Sequence, residues 1–223
     1  SQQHALLCEL LRCILLCNTI VIDKEAYKCD SPDEICLVSY VRRLGAELVA
    51  KRGKQVVIRL HGREETWVVE KTLGFSSERK RMSVLARREG DERTVLFAKG
   101  ADDMMLSRSI VRGVVNEMDM EANHREISAC LQEYADKGCV RRESVRSRLR
   151  TLVMGMRELT EEQFELFVDA ITQAEKVLQD RDEAKAACFE RIEKELVPLG
   201  VSGIEDLLQD EVMDTIDVRV VGA

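Results

Sequence analysis

What this 223-residue chain lacks narrows its class first. No apolar run is long enough to cross a bilayer. The stretch from Ala5 to Cys17 is broken by Glu9 and Arg12, and it is only about 13 residues long where a helical span needs roughly 20. The same stretch has neither the basic leader nor the small-residue cleavage site of a signal peptide. Gly-rich phosphate loops of the G-x-x-x-x-G-K-[ST] and G-x-G-x-x-G kinds are missing, as are the H-R-D and D-F-G signatures of kinases. None of the eight cysteines forms a CxxC pair. His4, His61 and His124 are far apart in sequence, so no Cys/His cluster has zinc-ligand spacing. Reduced thiols in a cytosolic setting are expected, with Cys13 and Cys17 as small buried hydrophobes on one helix face. Aromatic residues make up 4% of the chain and the net charge is −7. Few rings interleave with the basic residues, so a nucleic-acid partner is not expected.

Hydrophobic residues at 45% are enough for one sizeable core, in one large domain or a domain with flanking pieces. Residues 3–17 carry apolar groups at helical spacing and stop near Asn18. Asp30-Ser31-Pro32-Asp33-Glu34 reads as a helix start: Ser31 or Asp30 can cap, Pro32 fits the first turn, and the two acids complement the helix dipole. That helix is expected to reach Leu44 and stop at Gly45. From Glu47 to Lys99 the pattern changes to short β-rich runs at 56–60, 66–69, 82–87 and 94–98. Turns at Gly53, His61-Gly62 and Glu89-Gly90-Asp91 separate them, which predicts adjacent antiparallel strands. Helices are expected at roughly 102–109, 121–137, from Thr160 with a capping box, and from about 181 to 196. A short strand is expected at 151–156. The fold class is α+β, an antiparallel β-sheet flanked by helices.

Two signatures stand out, FSSERKRMSV at 75–84 and FAKGADDMM at 97–105. Each joins an alternating apolar run to a group able to engage a nucleotide. Phe75 offers a ring that stacks on a base or, read alone, a strand-end core residue. Lys80 and Lys99 are flexible point charges suited to phosphates or to a base, or else solvated strand ends. Gly100 permits close approach of a ligand or a positive-φ turn. Residues 71–99 hold eight basic groups against four acidic ones, a local excess of +4 in an acidic chain. That excess suits a phosphate-bearing ligand, although a mixed-charge solvated face accounts for any one of these residues.

The pair of signatures, with KGAD placed 24 positions beyond Phe75, resembles the nucleotide-binding domain of P-type ATPases. ERKRMSV followed by FAKGAD looks most like the type IV branch, the phospholipid-translocating flippases. SPDE at 31–34, LRTLV at 149–153 and GIEDLLQD at 203–210 add to the likeness, which covers roughly residues 5–215. The resemblance implies an ATP site in which Phe75 stacks on adenine, with Ser76 beside it in the same F-S pattern. Lys99 and Gly100 line the pocket, and Lys80 sits near base and phosphates. Glu34, or less directly Asp33, faces the adenine edge, which favours adenine over guanine. Arg150 matches the arginine that contacts phosphate oxygens.

The resemblance further implies that residues 1–200 form the nucleotide-binding domain and that 201–223 begin the return to a phosphorylation domain. Leu207 stands where the family pattern has lysine, and Asp217–Ala223 do not continue that pattern. Neither Asp23-Lys24-Glu25 nor Asp136-Lys137-Gly138 matches the D-K-T-G motif of the phosphorylated aspartate, so no catalytic residue is expected here. ATP is the expected ligand, with Mg²⁺ held mainly by the phosphorylation domain. The implied partners are the phosphorylation and actuator domains of the same polypeptide, phospholipid through membrane helices, and an accessory subunit. The implied location is the cytosolic side of an integral membrane protein.

One stretch departs from the pattern. About ten residues, 139–148, are added before Leu149, and 137–150 carry a net +5. They read as an exposed loop, with Ser144 and Ser147 open to phosphorylation. Two alternatives stand beside the flippase reading: a cation-transporting P-type ATPase, and an interaction module using the basic 137–150 loop.

Overall fold

The computed structural model describes residues 2–24, 26–91, 93–110, 114–115, 118–140, 149–205 and 216–220. Helix α1 (Gln2–Leu16) leads into a small hairpin of β1 (Val21–Asp23) and β2 (Ala26–Lys28), followed by α2 (Pro32–Arg43). A run of five strands follows: β3 (Ala46–Arg52), β4 (Gln55–Leu60), β5 (Arg63–Ser76), β6 (Arg81–Arg88) and β7 (Thr94–Gly100). Next come α3 (Asp102–Leu106), the short pair β8 (Val114–Val115) and β9 (Met118–Asp119), α4 (Met120–Val140) and β10 (Leu149–Leu159). The chain continues through α5 (Glu161–Lys176), α6 (Arg181–Ile192), β11 (Val197–Glu205) and β12 (Ile216–Val220).

Eight strands form one antiparallel sheet in the order β12-β11-β10-β7-β6-β5-β4-β3. Strand alternation divides the core into two layers. Met82, Val84, Ala86, Val95 and Phe97 face one way, onto α1 and α2. Leu85, Leu96 and Ala98 face the other way, onto a cluster with Phe167, Ile171 and Phe189 of α5 and α6 and Tyr134 of α4. The two central strands are therefore buried on both faces, which explains their nearly continuous apolar runs.

Several local expectations hold. Helix α2 ends at Arg43 with Leu44 as its C-cap, followed by Gly45 at φ +81°, a left-handed position that glycine takes without steric penalty. At the end of α1, the Asn18 amide donates to the carbonyls of Ile14 and Leu15, satisfying groups the helix leaves open. The Thr160–Gln163 capping box forms in both directions. Other expectations are corrected. Ser31 occupies the N-cap of α2, yet its side chain makes no capping bond. Helix α3 stops at Leu106, and α4 continues to Val140, so residues 139 and 140 are helical in backbone. Residues 141–148, with Ser144 and Ser147, and 206–210 of the GIEDLLQD stretch lie outside the described residues. Helix α6 ends at Ile192, short of 196, because Glu193 turns inward beneath the sheet. Strand β11 straddles residue 200.

Candidate functional site

Backbone register gathers the two signatures at one end of the sheet. Ser76 pairs with Arg81, Arg81 with Gly100, and Gly100 with Val153, a row across β5, β6, β7 and β10. At ordinary strand spacing this row spans about 14 Å. The β5–β6 turn is fixed onto it. The Lys80 amide donates to Ser76 O at 2.7 Å, the Arg79 amide donates to Ser76 Oγ at 3.2 Å, and the Ala101 amide donates to Lys80 O at 3.0 Å. Gly100 is where the turn rests: a Cβ there would lie 2.5 Å from Lys80 O and 2.6 Å from Arg81 Cβ. Its first role is thus close backbone packing. Lys80 adopts φ +50° and projects outward, 3.4 Å from Asp103. Phe75, at the end of β5, is 62% exposed, an unusual position for a ring in a chain with so few.

Lys99 points to the α1/α2 face and is buried. Its Nζ donates to Glu34 Oε1 at 2.7 Å. Glu34 Oε2 accepts from both the amide and the hydroxyl of Thr19, at 2.7 Å each, and from the Cys29 thiol at 3.2 Å. Burial alone would raise the Glu34 pKa. The attraction of Lys99 and these hydrogen bonds outweigh it and hold the carboxyl down at about 2. Beside it, Lys51 donates to Asn18 O and Oδ1, and burial lowers its pKa. One residue earlier on α2, Asp33 pairs with Arg150 of β10 at 3.0 Å. The first turn of α2 therefore meets two cations delivered by two different strands.

Of the eight predicted site residues, Glu34 joins Lys99, Asp33 joins Arg150, and Gly100 carries the Ser76–Lys80 turn. Phe75 takes part in none of the ring contacts found among the described residues. All three carboxylates named here, Glu34, Asp33 and Asp103, are engaged by cations, so this donor set does not fit Mg²⁺. A separate groove of about 840 Å³ is lined by 107–110, 156–158, Thr160, Gln163, Lys194, Glu195 and Val197, and it includes none of the predicted residues. The nucleotide candidates form a shelf at the sheet end.

Sequence reasoning missed the opposite face of the same row. Arg81 is 1% exposed, its Nε donating to Glu193 Oε2 at 2.7 Å and its Nη2 to Glu190 Oε2 at 2.5 Å. Arg79 Nη2 donates to Glu193 Oε1 at 2.5 Å, and the Ser83 hydroxyl donates to the same oxygen. Burial lowers the Arg79 pKa. At Glu190 burial opposes the charged form, but the Arg108 bond and the two arginines pull the pKa down. Strand alternation carried the signal, since Arg81 shares a parity with the buried Ser83 and Leu85. A second correction concerns the histidines. The fold brings His4, Cys8 and His61 together despite their separation in sequence.

The α+β fold is consistent with a nucleotide-binding domain of a P-type ATPase. The chain matches the family described as P-type ATPase, cytoplasmic domain N, over residues 6–211, and it belongs to that family. Among its relatives, it is 36% identical to phospholipid-transporting ATPase VB of Homo sapiens over 85% of this chain and 13% of that protein. It is 33% identical to probable phospholipid-transporting ATPase 12 of Arabidopsis thaliana, over 92% of this chain and 17% of that protein. It is 32% identical to phospholipid-transporting ATPase ID of Homo sapiens, over 93% and 16%. The chain thus spans well under a fifth of the length of the curated relatives it matches. No helix among the described residues is long and apolar enough to cross a membrane.

Proposed function

We propose that this chain is the ATP-binding domain of a phospholipid-translocating P-type ATPase. The observation that carries the reading is the shared row Ser76–Arg81–Gly100, which holds the exposed Phe75 and Lys80 beside the Glu34–Lys99 pair. Adenine stacks on the Phe75 ring. Lys80 exchanges its exposed pairing with Asp103 for the phosphates, and Arg150 exchanges its half-exposed bond to Asp33 for a phosphate oxygen. Lys99 and Glu34 act as a pair: the lysine frames the pocket, and the carboxylate holds it in place. Ser76 and Gly100 set the turn.

Residues 1–200 form the binding domain, and 201–223 lead back toward the phosphorylation domain. Family membership implies ATP and Mg²⁺ use in general. The triphosphate projects from the shelf, and domain closure brings its γ-phosphate to an aspartate on the phosphorylation domain, where Mg²⁺ is bound. The actuator domain, membrane helices that carry phospholipid, and an accessory subunit complete the parent on the cytosolic face of a membrane. That these relatives are phospholipid-transporting ATPases favours lipid over cation as cargo.

An NMR titration of the chain with ATP and, in parallel, GTP tests the reading. Shifts should cluster at Phe75, Lys80, Lys99 and Glu34. They should saturate with a Kd on the order of 0.1–1 mM, about −4 to −5.5 kcal/mol, and be weaker with GTP. Sub-micromolar binding, turnover by the chain alone, or no shifts at these residues in a folded sample would sink it.

A further inference from the structure

We propose that His4, Cys8 and His61 form a binding site for a single Zn²⁺ ion that joins α1 to the β4–β5 turn. One ligand atom from each of the three side chains falls within 4.8 Å of the others. His4 Nε2 and Cys8 Sγ are 3.8 Å apart, and the two imidazole rings stand 5.4 Å apart with a 32° tilt. With Zn–N near 2.0–2.1 Å and Zn–S near 2.3 Å, ligand atoms about a tetrahedral centre lie roughly 3.3–3.7 Å apart. The observed separations are therefore within about an ångström of coordination, a distance that exposed histidine side chains cover by rotation alone.

Each residue reaches the site for a local reason. His4 and Cys8 are four apart on α1, so they share one helix face, one above the other. His61 holds φ +48° in the turn between β4 and β5, where its amide donates to Gly45 O at 3.0 Å. That bond extends the β3–β4 pairing by one step into the turn, and β4 packs against α1. Two imidazoles and a thiolate are the donor types zinc prefers, and three protein ligands leave a fourth position for water. Cys8 must lose its proton to ligate, so binding releases one proton to solvent. A weak thiol–imidazole hydrogen bond accounts for His4 and Cys8 but not for the arrival of His61. The site is remote from the nucleotide shelf: β5 runs from Arg63, beside His61, to Ser76, about 40 Å of strand. It does not depend on the ATP reading.

Co²⁺ added to the full chain, followed by displacement with Zn²⁺, tests this. One equivalent of Co²⁺ should produce a thiolate charge-transfer band in the near ultraviolet and intense tetrahedral ligand-field bands, both lost when Zn²⁺ is added. Cys8→Ser should abolish the charge-transfer band. His61→Asn, which tolerates the left-handed backbone, should weaken Zn²⁺ at least tenfold with an unchanged far-ultraviolet circular dichroism spectrum. Cys29→Ser should leave the band intact. A pale octahedral spectrum in the wild type, a band that survives in Cys8→Ser, or unchanged Zn²⁺ affinity in folded His61→Asn would overturn the proposal.

Discussion

Lys99 and Arg81 lie one register step apart on neighbouring strands, face opposite sides of the sheet, and are both buried against carboxylates, one in α2 and one just past the end of α6. Their surroundings differ. Arg81 sits in a closed cluster: Glu193 is fully buried and is shared by Arg79, Arg81 and Ser83, while Glu190 links on to Arg108. Among the described residues Lys99 has one carboxylate partner, and the groups behind that partner are a threonine, a thiol and a neighbouring lysine. A network with every acceptor divided among several donors is a scaffold. A single pair beside an exposed ring and an outward lysine is an arrangement a ligand can join. Of the consecutive cations 79–81, the outer two serve the scaffold and the middle one, at positive φ, makes only an exposed 3.4 Å pairing with Asp103 among the described residues, which a ligand can displace.

Substitutions can separate the two sides. Glu193→Gln should have the largest effect, because Arg79 and Arg81 lose their common partner. A loss of about 3–5 kcal/mol is expected in denaturant unfolding, and the ATP shifts at Phe75 should persist in the fraction that stays folded. Glu34→Gln should cost about 3 kcal/mol near neutral pH, and its penalty should depend on acid. The Glu34 pKa is depressed to about 2 from an ordinary 4.5, so its stabilisation is full above 4.5 and fades as pH falls toward 2. Unfolding midpoints of wild type and Glu34→Gln should converge across that window; a constant gap would mean the pair is not what Glu34 contributes.

Phe75→Ala should barely alter stability, by less than about 0.5 kcal/mol. It should weaken ATP by about 1–3 kcal/mol, read as a shifted midpoint in the NMR titration. A large drop in melting temperature would instead make Phe75 a core residue. Lys80→Ala should be the mildest, with stability unchanged within about 0.5 kcal/mol and ATP weakened severalfold. If Lys80→Ala proved more destabilising than Glu193→Gln, the division between scaffold and shelf would be reversed.

The middle of the sheet was legible because 82–87 and 94–98 are short, nearly continuous apolar runs with turn residues marking their ends. Strand β11 was hidden. Its sequence holds Pro198, Gly200 and Gly203, which read as breakers. The proline is tolerated because it pairs with Gly155 where the β10–β11 register shifts. The end of α6 was missed because periodicity carries no sign that Glu193 will leave the helix for a partner more than a hundred residues earlier. Both faces of α2's first turn were visible as charge, but helix-dipole chemistry alone explains Asp33 and Glu34. Only the fold shows that each meets a cation from a separate strand. His61 and α1 meet through tertiary packing, which no spacing rule anticipates.

The contact between Gly100 and the carbonyl of Lys80 is one of main chain on main chain. What aims Phe75 and Lys80 at the shelf is thus independent of the side chains at Ser77 and Glu78, the two turn positions with no part in it. Exchanging those two residues for other polar ones should leave the aim of the ring and the ammonium unchanged. Gly100 has no such latitude: any heavier residue there lifts the turn, and no single compensating exchange in the turn restores it.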